Sequence, residues 1–290
     1  MKAGACIGLS EKLWESFEGK TVVIKYGGSI TKDIEATDAF MEDIAVLRDI
    51  GAKVVIVHGG GPDINRMLCR LDIKGEFVKG LRVTDEAAME VVEMVLSGRV
   101  NKDLTSKLLG KGVDAVGISG RDGRLIEAGR MYLDEAGKKI DIGFVGEVTG
   151  INSKIVSDLL SMGYVPLISP VGGDREGNIY NINADYAAAA IGASLNADSL
   201  IYLSDVDGLY GDINDRTSLI NIITAGEIKE LIRNGTISGG MIPKMKCCIE
   251  AIEKGVKSVC LIGGLKAHAL LELIKGKSAG TIIKGGEDHV

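Results

Sequence analysis

The chain has 290 residues, is 46% hydrophobic with only 4% aromatic residues, and carries 34 Lys+Arg against 40 Asp+Glu for a net charge of -6. That length accommodates one large α/β domain or two lobes around an aliphatic core, and mild acidity without any Lys/Arg run excludes a nucleic-acid footprint or a basic membrane-binding face. Five scattered cysteines with no C-x-x-C pair fit a reduced, cytoplasmic chain, and no apolar run approaches the ~18 residues of a membrane span or builds a signal peptide.

In chain order, residues 9–17 put Leu9, Leu13, Trp14 and Phe17 on one helical face. Thr21-Val22-Val23-Ile24-Lys25 is a short strand that breaks at the following glycines, Gly27-Gly28, and residues 35–50 form a helix stopped by Gly51. Val54-Val55-Ile56-Val57 reads as a strand buried on both faces. His58-Gly59-Gly60-Gly61-Pro62 ends it and opens a helix over 63–71. Gly80-Leu81-Arg82-Val83-Thr84 is a loop whose Thr84 caps a helix running to about Leu96. A separate helix covers 101–111, a strand covers 114–119, and the Gly-rich, charged stretch 120–150 forms hairpins on an edge or over the site. Helix 153–162, strand 164–169, an alanine-rich helix 185–195, strand 199–203, helix 225–234, a helix from Met241 to Lys254, strand 258–262, helix 267–275 and strand 281–284 complete the chain. Strands alternating with helices imply an α/β fold, a largely parallel sheet with helices on both faces.

Glycine-rich strand ends are read at four places, 26–28, 59–61, 205–208 and 239–240. Backbone without side chains lets an anion approach N–H groups, and a helix N-terminus favours negative charge. Lys25 at a strand's carboxyl end and Lys244 are placed to face phosphate. No P-loop, no Gly-x-Gly-x-x-Gly, no Gly-x-Ser-x-Gly and no His-x-x-x-His pattern occurs. This inventory suits phosphoryl transfer, in which catalysis is positioning plus neutralisation of charge. Plainer roles are open for several residues: Asp185 as a helix N-cap, Arg82 as a surface ion pair, Asp207 as a turn residue, and His58 as a satisfied core histidine.

Lys25-Tyr26-Gly27-Gly28, His58-Gly59-Gly60-Gly61-Pro62, Gly80-Leu81-Arg82-Val83-Thr84, Asn181-Ile182-Asn183-Ala184-Asp185, Ser204-Asp205-Val206-Asp207-Gly208 and Gly240-Met241-Ile242-Pro243-Lys244 occur in this order. Together they resemble the amino-acid-kinase family, and within it the branch acting on N-acetyl-L-glutamate. The likeness runs from about residue 20 to 284. It implies a three-layer αβα sandwich, with an acyl-amino-acid-binding lobe over about 1–193 and a nucleotide-binding lobe over about 194–290. It also implies a reaction of arginine biosynthesis with ATP and Mg²⁺. In that family's pattern Lys25, Lys244 and Asp185 are catalytic, and Gly28, Gly60, Gly61, Arg82 and Asn181 bind the substrate. Asp205, Val206, Asp207, Gly208, Leu209, Tyr210, Gly240 and Met241 line the nucleotide, and no protein side chain binds metal. The alternatives are a kinase for the one-methylene-longer acetylaminoadipate and a non-catalytic metabolite or nucleotide sensor on the same fold. The resemblance further implies a homodimer. In arginine-inhibited relatives an N-terminal helix joins three dimers into a hexamer, and here Trp14, His268 and Glu272 would mark the arginine site. Glu272 falls one residue early and Ser278 replaces a usual glycine, so inhibition is expected to be weak.

Overall fold

A computed structural model describes residues 17–28, 30–135, 137–212, 214–276 and 280–285. Trp14, most of the helix expected over 9–17, and Ser278 lie outside the described residues. The strands in order are β1 (Thr21–Tyr26), β2 (Lys53–His58), β3 (Glu76–Val78), β4 (Leu81–Val83), β5 (Ala115–Ser119), β6 (Ile126–Glu135) and β7 (Lys138–Ile151). They continue with β8 (Val165–Ser169), β9 (Val171–Gly173), β10 (Ile179–Ile182), β11 (Ser199–Ser204), β12 (Ile222–Thr224), β13 (Ser258–Gly263) and β14 (Gly280–Lys284). The helices are α1 (Ile34–Asp49), α2 (Gly61–Arg70), α3 (Glu86–Glu93), α4 (Asn101–Gly110), α5 (Lys154–Ser161), α6 (Ala184–Ser194), α7 (Ala225–Arg233), α8 (Met241–Glu253) and α9 (Ala269–Ile274).

One eight-stranded sheet of order β12-β14-β13-β11-β1-β2-β8-β5 crosses the whole molecule. Every neighbour pair in it is parallel except β13–β14. The alternation of β1 shows why helices cover both faces. Val22, Ile24 and Tyr26 enter one apolar cluster with residues of α1, α3, α4 and α9. Val23, with Val55 and Val57 of β2, enters a second cluster with residues of α5, α6, α7 and α8. All six side chains are fully buried, and each such aliphatic side chain stabilises the fold by ~1.5–3 kcal/mol. The expected sandwich of three layers is therefore present.

Three expectations are corrected, and the hairpins expected over 120–150 take a definite form. The helices expected at 84–96 and 101–111 are one continuous rod, because α3 passes into α4 through a π-helical segment, Met94–Val100. Thr84 does not cap it; Asp85 does, accepting a hydrogen bond from Ala88 N at 2.8 Å. The stretch 120–150 contains one long β6–β7 hairpin, which closes a small barrel of order β10-β7-β6-β9. The loop at residue 80 belongs to a β3–β4 hairpin. Strands β3, β4, β9, β10 and β12 have only three or four residues, too few for a period to register.

Candidate active site

Within the sheet β1 lies between β2, reached first, and β11, reached only after α6. Strand order reverses there, and open α/β sheets bind ligands at the carboxyl ends of strands at such a point. Lys25, the Gly27–Gly28 turn, the Gly59–Gly61 turn and Ser204-Asp205 all lie at that edge.

Asp185 joins the two lysines. Lys25 Nζ stands 2.8 Å from Asp185 Oδ1 as an ion pair, and Lys244 Nζ donates to Oδ2 at 2.9 Å. The three side chains are only 13–16% exposed. Burial alone raises the Asp185 carboxyl; the two ammonium groups outweigh it and hold the group below the usual carboxylate range. Asp185 does not cap α6. Asn183 does, its side chain accepting from Asp185 N at 2.8 Å. Asp185 sits in the first turn instead, where the helix dipole favours a negative charge. Lys244 comes from the first turn of α8, a position that tolerates Pro243 beside it.

A cleft of about 350 Å³ opens beside this triad. Lys25, Gly28, Gly60, Gly61, Arg82, Asn181 and Asp185 line it, with Phe77, Leu96 and Val145 as apolar walls. The two glycine turns touch: a Cβ on Gly28 would stand 2.9 Å from Gly60 N, and one on Gly60 would stand 2.6 Å from Leu96 Cδ2. At Gly28 the obstacle is backbone and only glycine fits; at Gly60 a side chain would displace Leu96. Arg82 is 7% exposed, so it is no surface ion pair. Its Nη2 donates to Asn65 Oδ1, and the Phe77 ring lies 4.6 Å from Cζ. Nη1 is buried and has no hydrogen-bond partner among the described residues. Burial pulls this guanidinium below its ordinary pKa. A buried donor without a partner costs free energy that an anionic ligand can recover. Asn181 is tied to Arg82 through Thr84: Asn181 Nδ2 donates to Thr84 Oγ1 at 3.2 Å, and that hydroxyl donates to Arg82 O at 2.9 Å. Strand β7 fixes Thr84 in turn, through Thr84 N to Ile142 O at 3.0 Å and Phe144 N to Thr84 O at 2.6 Å.

Asp205, Val206, Asp207, Gly208, Leu209, Tyr210, Gly240, Met241 and Lys244 do not line that cleft. The first six follow β11. Asp205 and Asp207 are exposed, whereas Gly208 and Leu209 are buried, with Leu209 N donating to Thr281 Oγ1 at 2.7 Å. Tyr210 OH donates to Asp207 Oδ2 at 3.3 Å. Gly240 precedes α8 and Met241 opens it. His268 pairs with Asp43 of α1, Nδ1 to Oδ1 at 2.7 Å. Glu272 lies on α9. Among the described residues no group of three His, Cys, Asp or Glu could hold a metal ion, and no helix is long and apolar enough to cross a membrane.

Sequence reasoning passed over Tyr202. This residue is fully buried on β11, its OH donates to Asp185 O at 3.2 Å, and its ring centroid lies 5.7 Å from Lys244 Nζ. Its one signal was an aromatic residue inside the aliphatic run Leu200-Ile201-Tyr202-Leu203.

Comparison with known proteins shows the family and the fold. The model of the amino acid kinase family matches residues 20–263. A protein named acetylglutamate kinase from Clostridium acetobutylicum is 51% identical over 92% of this chain and 90% of its own. One of the same name from Thermoanaerobacter pseudethanolicus is 46% identical over 93% and 89%. Among solved structures, N-acetylglutamate synthase from Neisseria gonorrhoeae, complexed with coenzyme A and N-acetyl-glutamate, superposes with a TM-score of 0.83 at 23% identity. The superposition covers 98% of this chain but only 64% of that longer one. Carbamate kinase from Giardia lamblia bound to AMP-PNP superposes with a TM-score of 0.64 at 18% identity, over 92% and 99%. At these identities the two structures are alike in fold alone.

Proposed function

The chain belongs to the amino acid kinase family, and from that premise we propose that it transfers the γ-phosphoryl group of MgATP to the γ-carboxylate of N-acetyl-L-glutamate. The product is N-acetylglutamyl 5-phosphate, in arginine biosynthesis. The relatives named above support the substrate. The observation that carries the reading is the Lys25–Asp185–Lys244 triad, two of whose members line a cleft holding the buried, half-partnered Arg82.

A γ-carboxylate is already ionised at neutral pH, so no general base is required. One carboxylate oxygen attacks the γ-phosphorus, a new P–O bond forms, and the bond to the β,γ-bridging oxygen breaks with its electron pair leaving on ADP. The obstacle is the approach of two anions. Lys25 and Lys244 offset it by carrying positive charge on either side of Asp185, and Asp185 holds both ammonium groups in place. Gly28, Gly60 and Gly61 present backbone N–H groups to the acceptor, and Asn181 meets its amide. Arg82 grips the α-carboxylate, for which its planar fork is suited. Asp205 to Tyr210, with Gly240 and Met241, hold the nucleotide. On this reading the acyl-amino-acid lobe is about 1–193 and the nucleotide lobe about 194–290. Bound through the nucleotide's phosphates, Mg²⁺ supplies further positive charge.

A coupled ADP-release assay with N-acetylglutamate, glutamate, aspartate and acetylaminoadipate tests the assignment. Turnover with N-acetylglutamate well above the other three is expected; equal or better turnover with acetylaminoadipate rejects it. Arg82→Lys is expected to raise KM for N-acetylglutamate roughly 10–100-fold, the worth of a charged bidentate contact. KM for ATP should stay within about twofold. Equal rises for both substrates count against the α-carboxylate role.

The same reading carries a homodimer, and a hexamer of three dimers weakly inhibited by arginine near His268 and Glu272. Sedimentation with an arginine titration, on the full chain and on one lacking residues 1–18, decides it. A monomer at micromolar concentration rejects the whole assembly, and an arginine-insensitive dimer rejects the hexamer and the effector.

A further inference from the structure

His58 takes no part in the chemistry just described, yet it ends the strand that delivers the glycine turn. We infer that His58 is a positioning residue: clamped by Asn101, its imidazole fixes the Gly59–Gly60 peptide, and so sets the N–H that Gly60 offers the acceptor. This rests on the proposed function, in which that turn meets N-acetylglutamate.

The imidazole is fully buried. Nδ1 stands 3.0 Å from Gly59 O and Nε2 3.1 Å from Asn101 Nδ2. Which nitrogen carries the proton follows from the neighbours. The Asn101 amide also faces Leu167 O at 3.0 Å and Ile118 O at 3.3 Å. Two carbonyl oxygens can only accept, so the amide turns its NH2 to them, its two hydrogens shared among these carbonyls and the ring. An Nε2–H would point at an amide nitrogen that cannot accept, so the hydrogen sits on Nδ1, which donates to Gly59 O. Burial pulls the imidazole pKa down to about 4, which keeps the ring neutral at working pH.

The bond bears on the cleft because Gly59 C=O and Gly60 N–H are two ends of one planar trans peptide. Holding the carbonyl toward His58 turns the N–H away from it, on the side of Gly28, and both Gly28 and Gly60 line the cleft. A peptide flanked by two glycines has the least steric resistance to flipping. Such a turn needs an external hold if its N–H groups are to wait in place for an anion. The hold has two parts, both from one rod. Leu96 and Val100 of the π-helical segment press on Gly60, and the next residue, Asn101, reaches His58. Single-turn π-helical segments commonly mark functional sites.

The arrangement is also costly, which a purely structural pair would not need to be. Asn101 Oδ1 is buried without a hydrogen-bond partner among the described residues, and a Cβ on Gly117 would collide with it. An apolar pair of similar volume in this core would remove that orphaned oxygen but would leave Gly59 O without the imidazole.

Two variants separate the halves of the clamp. In His58→Asn the amide nitrogen falls where Nδ1 sits and can still donate to Gly59 O. In His58→Gln the side-chain oxygen reaches the Nε2 position and accepts from Asn101, leaving Gly59 O alone. His58→Gln is expected to raise KM for N-acetylglutamate about five- to tenfold, the worth of one hydrogen bond. His58→Asn should stay within about twofold, and neither should change KM for ATP by more than about twofold. Equal KM in the two variants, or a parallel rise for ATP, overturns the inference. Nitrogen-15 NMR of the wild-type imidazole serves if a variant fails to fold: Nδ1–H is required, and an Nε2–H tautomer overturns the clamp. Should N-acetylglutamate fail to elicit ADP from the wild type, the functional reading falls, while the tautomer still decides the clamp.

Discussion

Lys244→Ala and Lys25→Ala are each expected to lower kcat by a factor on the order of 10³, the effect of removing one preorganised charge or donor from a reacting centre. KM for N-acetylglutamate and for ATP should move by less than about threefold. The asymmetry follows from where the charge acts. Before reaction the two ammonium groups already share Asp185, at 2.8 and 2.9 Å. Their surplus charge counts most when negative charge spreads over the transferring group, so the loss falls on the transition state rather than on ground-state binding. The low exposure of the triad strengthens the effect, since little water is present to replace the lost charge. Near-normal turnover in either variant sinks the assignment, and a rise in KM without a fall in kcat reduces that lysine to a binding role.

Asp185→Asn is the second large effect, a fall in kcat on the order of 10² with the fold retained. The substitution keeps the size of the side chain and removes the charge that holds both ammonium groups. Lys25 and Lys244 then face each other with no shared anion, and like charges at such range move apart. Removing one partner of a fully buried ion pair costs ~3–5 kcal/mol. Here the groups keep some contact with solvent and the asparagine oxygen can still accept, so a cost of about 1–2 kcal/mol is expected. Asn183→Ala is the control, because Asn183 is the residue that caps α6. It should cost about 1 kcal/mol of stability with a much smaller effect on turnover. If thermal unfolding shows Asp185→Asn to be the more destabilising change while its turnover survives, Asp185 is structural and the triad is not the reacting centre.

The legible parts of the chain are those in which one local segment carries its own signal. The run Val22-Val23-Ile24 announced a strand and Val54-Val55-Ile56-Val57 one covered on both faces, and both are fully buried. The glycine turns after them lie at the carboxyl edge of the sheet, where the cleft opens. Less legible were segments whose conformation depends on partners. The β6–β7 hairpin has no clean alternation, because its strands close a barrel with β9 and β10 that are distant in sequence. The caps were misplaced by one residue at Asp85 and by two at Asn183 for a simple reason. Ser, Thr, Asn and Asp are all good caps, and Thr84-Asp85 and Asn183-Ala184-Asp185 each offer two of them.

By itself the sequence determined the alternation of strands and helices, the two-sided burial of the strand at 54–57, and the glycine turns, local properties readable from period and residue type. Lys25, Asp185, Lys244 and Arg82 were singled out by the ordered motifs through which the chain resembles the amino-acid-kinase family. Only the tertiary structure decided that Lys25, Asp185 and Lys244 meet, across sequence separations that no periodicity spans. Tertiary packing likewise buried Arg82 with one donor unpartnered, placed Tyr202 under Asp185, and turned His58 toward Gly59 and Asn101. A side chain's partners depend on which strands become neighbours. In this sheet β1 pairs with β2, Thr21 opposite Lys53, and with β11, Val22 opposite Ser199, so the second neighbour arrives long after the first contact could form.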